Sequence, residues 1–226
     1  MNILKLSIPF LILVNLTLSV TLARANAVED KFKNAGLIDI HPVDSSIQVD
    51  LVNSDPENNF FRENYYHGLN KAYLRKEVAV KLSRAQKVLK SKHPDFSLLI
   101  LDAARPRSVS KQMYYKMKGT KFEKYVANPK RGSMHNYGIA VDITIVDGNG
   151  DEIDMGFTPF RKSNLEIYWQ FAKMKLGFSF SEKQKKNRKL LSDTMANSGF
   201  LPLSHEWWHF NGMPKDEARK RFQIIE

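Results

Sequence analysis

Gly138-Ile139-Ala140-Val141-Asp142-Ile143-Thr144-Ile145-Val146 alternates along its length as a strand does, and Asp147-Gly148-Asn149-Gly150 behind it is a tight-turn signal. Together they predict a hairpin returning along Glu152-Ile153-Asp154-Met155, and therefore antiparallel pairing. Upstream, Phe96-Ser97-Leu98-Leu99-Ile100-Leu101 follows Pro94, is short and apolar, and reads as a buried strand ending at Asp102-Ala103-Ala104-Arg105-Pro106. Between Lys76 and Lys90 the apolar residues Val78, Val80, Leu82, Ala85, Val88 and Leu89 recur near the helical period, so an amphipathic helix is expected there. Helical character returns over about 108 to 118 and 184 to 198, the latter with Leu190, Leu191, Met195 and Ala196 as its apolar residues. A short strand is expected at Ile47-Gln48-Val49-Asp50-Leu51, and a closing strand or turn from Gly199 to Phe210. Hairpin strands with separate helices predict an α+β domain, a central antiparallel sheet flanked by helices.

The chain has 226 residues, 35 basic and 24 acidic, and a net charge of +11. Its first residues hold Lys5, an apolar run from Ile8 to Val20, and then Ala23-Arg24-Ala25-Asn26-Ala27, whose A-x-A ending suits a signal peptidase. Residues 1–27 are therefore expected to be a signal peptide, and 28–226 one exported domain, periplasmic or secreted. No other segment is apolar enough to span a membrane. Losing Lys5 and Arg24 takes the basic residues from 35 to 33 against 24 acidic, a net +9. The positive charge is spread over several segments rather than gathered in one aromatic-interleaved stripe. It suits a polyanionic cell envelope better than nucleic acid. There is no cysteine, so a bound metal would be the one available staple, and His and carboxylate alone would hold it.

Two clusters carry candidate chemistry. In Ser133-Met134-His135-Asn136-Tyr137-Gly138-Ile139-Ala140-Val141-Asp142 an imidazole and a carboxylate lie seven residues apart with a glycine between. That spacing suits a His at a loop or strand start and an Asp along the adjoining strand, turned toward one point. In Ser204-His205-Glu206-Trp207-Trp208-His209-Phe210 a carboxylate precedes an imidazole by three residues. One reading makes His209 a ligand with Glu206 beside it as a base. Another takes His205-Glu206-Trp207-Trp208-His209 as a helical H-E-x-x-H motif, which Pro202 and Gly212-Met213-Pro214 leave little room to form. A third is a buried aromatic cluster with incidental histidines. Both clusters together supply two His and one Asp with an open position for water, plus a free Glu, the composition of a hydrolytic zinc centre. Arg105, held by Pro106 at the end of a buried strand, is the candidate for oxyanion stabilisation, or else forms a surface ion pair with Asp102.

Ser133-x-His135-x-x-Gly138-x-Ala140-x-Asp142 with Glu206-Trp207-Trp208-His209 resembles the D-alanyl-D-alanine dipeptidases of the vancomycin-resistance type. Asp50-Leu51 through Asn58-Asn59-Phe60, Ala72-Tyr73-Leu74-Arg75, Leu101 through Pro106, Met155-Gly156 and Asn197-Ser198-Gly199-Phe200 follow in family order, so the likeness covers about residues 46 to 213. The resemblance implies that His135, Asp142 and His209 bind one zinc on the sheet, Glu206 is the catalytic base, Arg105 stabilises the transition state and Ser133 helps hold substrate. His205 falls where the family has no ligand. It also implies a small dipeptide or a peptidoglycan-derived peptide as substrate, D-alanyl-D-alanine first and a stem peptide, by D,D-carboxypeptidase action, second. An activity of another class would be non-catalytic envelope binding. Two positions depart from the pattern. Phe157-Thr158-Pro159-Phe160-Arg161 follows Met155-Gly156 where an aromatic and an ammonium-binding Asp are usual, and Leu51-Val52-Asn53 stands where a Tyr shares that task. If Arg161 points into the site, a longer, N-blocked or acidic peptide is expected; Asp151, Glu152 and Asp154 are the nearby carboxylates that could replace the missing one.

Overall fold

The computed structural model describes residues 21, 23–57, 59–120, 122–123, 126–156, 161 and 180–226. The expected signal peptide lies outside them except for 21 and 23–27, which open a helix, α1, running through 23–34. Phe157-Thr158-Pro159-Phe160 also lies outside them.

The expected central sheet is present. Strands β2 (Gln48–Val49), β4 (Ser97–Asp102), β5 (Ala140–Val146), β6 (Leu201–Leu203) and β7 (Glu206–Asn211) lie in the order β2-β4-β5-β7-β6. Pairing is antiparallel from β4 to β6, while the edge strand β2 runs parallel to β4. A separate antiparallel pair joins β1 (Ile38–Asp39) to β3 (Tyr73–Leu74). Helices α2 (Lys76–Lys92), α3 (Arg107–Met117), α4 (Glu182–Asn197) and α5 (Lys215–Arg221) complete an α+β domain. The hairpin after β5 is shorter than expected. It consists of a single bridge, Val146 to Glu152, made by the bonds from Asp147 N to Asp151 O and from Ile153 N to Ile145 O.

Strands β4 and β5 are buried along their whole lengths. On one face Leu98, Ile100, Val141, Ile143 and Ile145 join the main core with Val78, Leu82 and Leu89 of α2 and Leu191 and Met195 of α4. Each such side chain contributes about 1.5–3 kcal/mol by leaving water. On the other face Leu99, Leu101 and Val146 form a small cluster with Val52.

The polar residues of this second face sit at the sheet's end, and pairing register puts them there. Asp102 lies opposite Asp142, and Asp142 opposite His209, in a row across three strands. Directly opposed residues point to the same face. Asp102 shares its even numbering with the core residues Leu98 and Ile100, but a bulge between Ile100 and Asp102 turns it to the face of Asp142.

Candidate metal centre and cavity

His135 reaches this row from the 3-10 turn Met134–Tyr137, which leads directly into β5. Ser133 caps the turn: its Oγ accepts from His135 N at 3.3 Å, and its own N donates to Asn136 Oδ1 at 2.7 Å. Gly138 closes it at φ 70°, a left-handed conformation open to glycine at little cost, and Leu37 occupies the space a Cβ would need. This turn brings His135 back over Asp142, as the seven-residue spacing suggested. Asn136 secures it by donating to Arg105 O at 2.8 Å and Ser110 Oγ at 2.9 Å.

His135, Asp142 and His209 are all buried, and each presents one ligand atom to the others. His135 Nε2 is 3.2 Å from His209 Nδ1 and 3.4 Å from Asp142 Oδ1, and His209 Nδ1 is 3.0 Å from the same oxygen. A tetrahedral ion with bonds of ~2.0–2.1 Å needs ligand atoms ~3.3 Å apart, so this triangle has the size of one face of such a shell. The outward nitrogens are also arranged. His135 Nδ1 donates to Ala103 O at 2.6 Å and His209 Nε2 to Asn211 Oδ1 at 3.1 Å, which turns an unprotonated nitrogen of each ring inward. Two lone pairs and a carboxylate oxygen converging in a buried space are a cation's donor set, and these residues fit a metal.

Burial works against the charged form of Asp142, but His135 and His209 outweigh it and hold its carboxyl well below the usual range. Burial also disfavours a cationic His209; the hydrogen bond and charge of Asp142, with the charge of Glu206, override it and raise the imidazole. Glu206 is raised too, chiefly by burial; His209 opposes that shift and Asp142 adds to it.

Glu206 Oε2 is 4.0 Å from His209 Nδ1 without belonging to the triangle. In a regular strand residues three apart face opposite ways. Here the register between β6 and β7 jumps, Pro202 pairing with Phe210 and Leu203 with Glu206, and the irregularity lets the carboxylate turn to the site of His209. The segment is a strand, which excludes the helical H-E-x-x-H arrangement. His205 lies outside the triangle with its side chain 59% exposed and its Nε2 3.2 Å from Glu206 Oε1.

Arg105 is not on the surface. Its Nε and Nη2 donate to Asp102 Oδ2 at 3.0 and 2.5 Å, its Nη2 is 3.8 Å from Asp142 Oδ2, and its backbone N donates to His135 O. Burial opposes its charge, but Asp102, Tyr66 and Asp142 stabilise it and raise its pKa. Asp102 also accepts from Tyr66 Oη at 2.7 Å, Ala103 N at 2.9 Å and Asn53 Nδ2 at 2.9 Å. The sequence suggested Asp102 as a partner of Arg105. It named Asn53 only as part of the segment that stands where a Tyr is usual, and offered no signal for Tyr66 or Asn211; all three converge through the fold.

The triangle, Glu206, Arg105 and Asn53 line a cavity of about 200 Å³ that also receives Ser133, Met134, Phe61, Val126 and, from α5, Lys215 and Arg219. Arg161 is not among the lining residues. Its guanidinium pairs with Asp50 at 2.6 Å and Glu152 at 2.9 Å, so the carboxylates around it are spent on it. Asp151, Glu152 and Asp154 do not line the cavity either, and Asp154 accepts from Gln184 and Gly156 N instead.

A family model described as D-ala-D-ala dipeptidase matches residues 33–225. The D-alanyl-D-alanine dipeptidase of Escherichia coli strain K12 is 31% identical over 113 residues, 50% of this chain and 53% of the relative. The chain thus spans about half the length of that relative. The D-alanyl-D-alanine dipeptidase of Synechocystis sp. strain PCC 6803 is 27% identical over 185 residues, 65% of this chain and 71% of the relative. Among solved structures, VanYB in complex with D-alanine-D-alanine matches with a TM-score of 0.38 and 17% identity, over 66% of this chain and 76% of the other.

Proposed function

The chain belongs to the D-Ala-D-Ala dipeptidase family of peptidases, and from that premise we propose that it is an exported zinc hydrolase cleaving D-alanyl-D-alanine in cell-wall peptide metabolism. The observation that carries the reading is the buried triangle of His135, Asp142 and His209 with a separate carboxylate, Glu206, 4.0 Å from His209. A purely structural His-Asp cluster has no need of that second carboxylate. Zinc, when bound by these three residues, supplies a Lewis acid that polarises the scissile carbonyl and acidifies water.

The side chains supply the rest. Glu206 takes a proton from the attacking water and returns it to the leaving amine nitrogen. Its pKa, raised chiefly by burial, makes it a stronger base than an exposed glutamate. Arg105, fixed by Asp102, presents positive charge to the oxyanion that develops on the carbonyl oxygen. The small cavity and the cations Arg105, Lys215 and Arg219 on its wall suit a short substrate bearing a free carboxylate. Ser133 lines the same wall and can offer its hydroxyl proton to that substrate.

A second reading, D,D-carboxypeptidase action on a peptidoglycan stem peptide, is favoured by one feature. Among the described lining residues the carboxylates are Asp142 and Glu206, both assigned above, so no third carboxylate meets a substrate ammonium. Mass spectrometry of products from D-Ala-D-Ala and from a muramyl pentapeptide separates the two. Release of D-alanine from the dipeptide is expected; cleavage of the pentapeptide alone would replace the first reading by the second. Export is tested by sequencing the N-terminus of the secreted or periplasmic protein, expected at Val28.

A further inference from the structure

The metal triangle and the proton transfer leave His205 without a task, although it lines the same cavity. Ser204 and His205 form the two-residue turn of the β6–β7 hairpin, whose last pair is Leu203 with Glu206. Neither turn residue takes a positive φ, so the turn is not one of the primed types that follow the twist of paired strands. The register jump of this hairpin adjoins it, between Pro202 and Leu203. Neighbouring residues of a regular strand face opposite ways. At this distorted end His205 and Glu206 instead turn toward each other, and His205 Nε2 comes to 3.2 Å from Glu206 Oε1.

The contact gives the two carboxylate oxygens different neighbours. Oε2 is 4.0 Å from His209 Nδ1 of the triangle, while Oε1 meets the exposed imidazole of His205. Among the described residues Glu206 pairs with these two imidazoles and with no lysine or arginine. A carboxylate only accepts, so the His205 contact is attractive when Nε2 carries a proton, whether the ring is neutral or cationic. Burial is the chief cause that raises Glu206 and Asp142 adds to it; His209 and His205 are among the charges that oppose the rise. A general base works from a fixed position, because the oxygen that takes the proton must point at the attacking water. Glutamate has three side-chain torsions to settle before it does so, and a partner on its other oxygen removes that freedom. An exposed pair of this kind adds little to stability, so its consequence falls on the orientation of the base.

We propose that His205 is a positioning residue for the base: it holds Glu206 Oε1 so that Oε2 stays turned toward the metal triangle. This assignment rests on the hydrolytic reading above and deepens it. His205 acts through Glu206, with no part in holding the metal or the substrate, so its signature is a loss of turnover with both kinds of binding intact.

The test uses the full metal-loaded protein with D-Ala-D-Ala and a muramyl pentapeptide, read on whichever the wild type hydrolyses. His205→Ala should lower kcat about tenfold, with KM within about twofold of the wild type and bound zinc unchanged. His205→Gln, which keeps an N–H donor, should recover most of that loss, and His205→Glu, which sets a like charge against Glu206, should lose more than the alanine variant. Should His205→Ala not fold, the comparison of His205→Gln with His205→Glu bears the same test. A loss confined to KM would make His205 a substrate contact and overturn the proposal, as would loss of zinc, equal activity in the three variants, or no loss in any. A wild type that hydrolyses neither substrate fails the hydrolytic reading first and this assignment with it, an outcome distinct from an active enzyme indifferent to His205.

Discussion

Glu206 and Asn211 act on the same imidazole in different ways, and mutation separates them. Glu206→Gln keeps the shape of the side chain and removes its basicity, so kcat should fall about 10²–10⁴-fold with bound metal unchanged, as elemental analysis beside steady-state kinetics would show. Asn211→Ala leaves the base in place but frees His209 Nε2 from its acceptor, losing control of tautomer and ring orientation. Metal affinity should drop about 10–100-fold in a competitive chelator titration. Comparable metal loss in both variants would place Glu206 in the ligand set instead.

Among the elements, the turn Met134–Tyr137 and the strand β5 it feeds have the least freedom. Gly138→Ala asks a side chain to adopt a left-handed φ and to displace Leu37, so a loss of about 1–3 kcal/mol in urea denaturation is expected, with weakened metal binding because His135 rides on this turn. Ile143→Ala, on the core face of β5, removes a fully buried side chain and should cost about 2–5 kcal/mol. Its neighbour Asp142 faces the other way, so the metal affinity of the folded Ile143→Ala protein should change far less than that of Gly138→Ala. The sheet irregularities belong here too. Bulges in β4 and β7 aim Asp102 and Glu206, and their absence would turn Asp102 from the face of Asp142 and Glu206 from His209.

Across the whole molecule α1 is tied to the sheet pair by charge and packing. Glu29 accepts from Tyr73 Oη and pairs with Lys33 and Lys71, while Phe32 stacks at 5.5 Å on the Tyr73 ring. The bonds from Lys33 and then Tyr73 lower the Glu29 pKa to about 2 from a usual 4.5. Because the folded-state value is depressed, the stabilisation is complete above about pH 4.5 and is lost as pH falls toward 2. Glu29→Gln should therefore flatten the stability curve between pH 5 and 2, measured by chemical denaturation at stepped pH, while changing little of its shape above that range. Removing the metal acts on another part of the fold: a strong chelator should lower the melting temperature of the wild type and much less that of His135→Ala.

Chain-local properties were legible from residue order. The periodicities of α2 and α4, the apolar runs of β4 and β5, the Gly138 turn and the pairing of His135 with Asp142 all depend on neighbours a few positions away, where spacing constrains geometry. The same reading reached His209, Glu206 and Arg105 as candidates but left three uses open for the Glu206 segment, because H-E-x-x-H has the same letters in a helix and in a strand. Strand pairing resolved that choice by placing Asp102, Asp142 and His209 in one row. Pairing also moved Arg105 from a surface ion pair to a buried one, drew Arg161 away to Asp50 and Glu152, and brought Asn53 to Asp102 across 49 residues of chain. Register, bulges and partner choice are cooperative properties of the packed sheet, in which each hydrogen bond forms only because distant segments have already met; residue order carries no local signal for them.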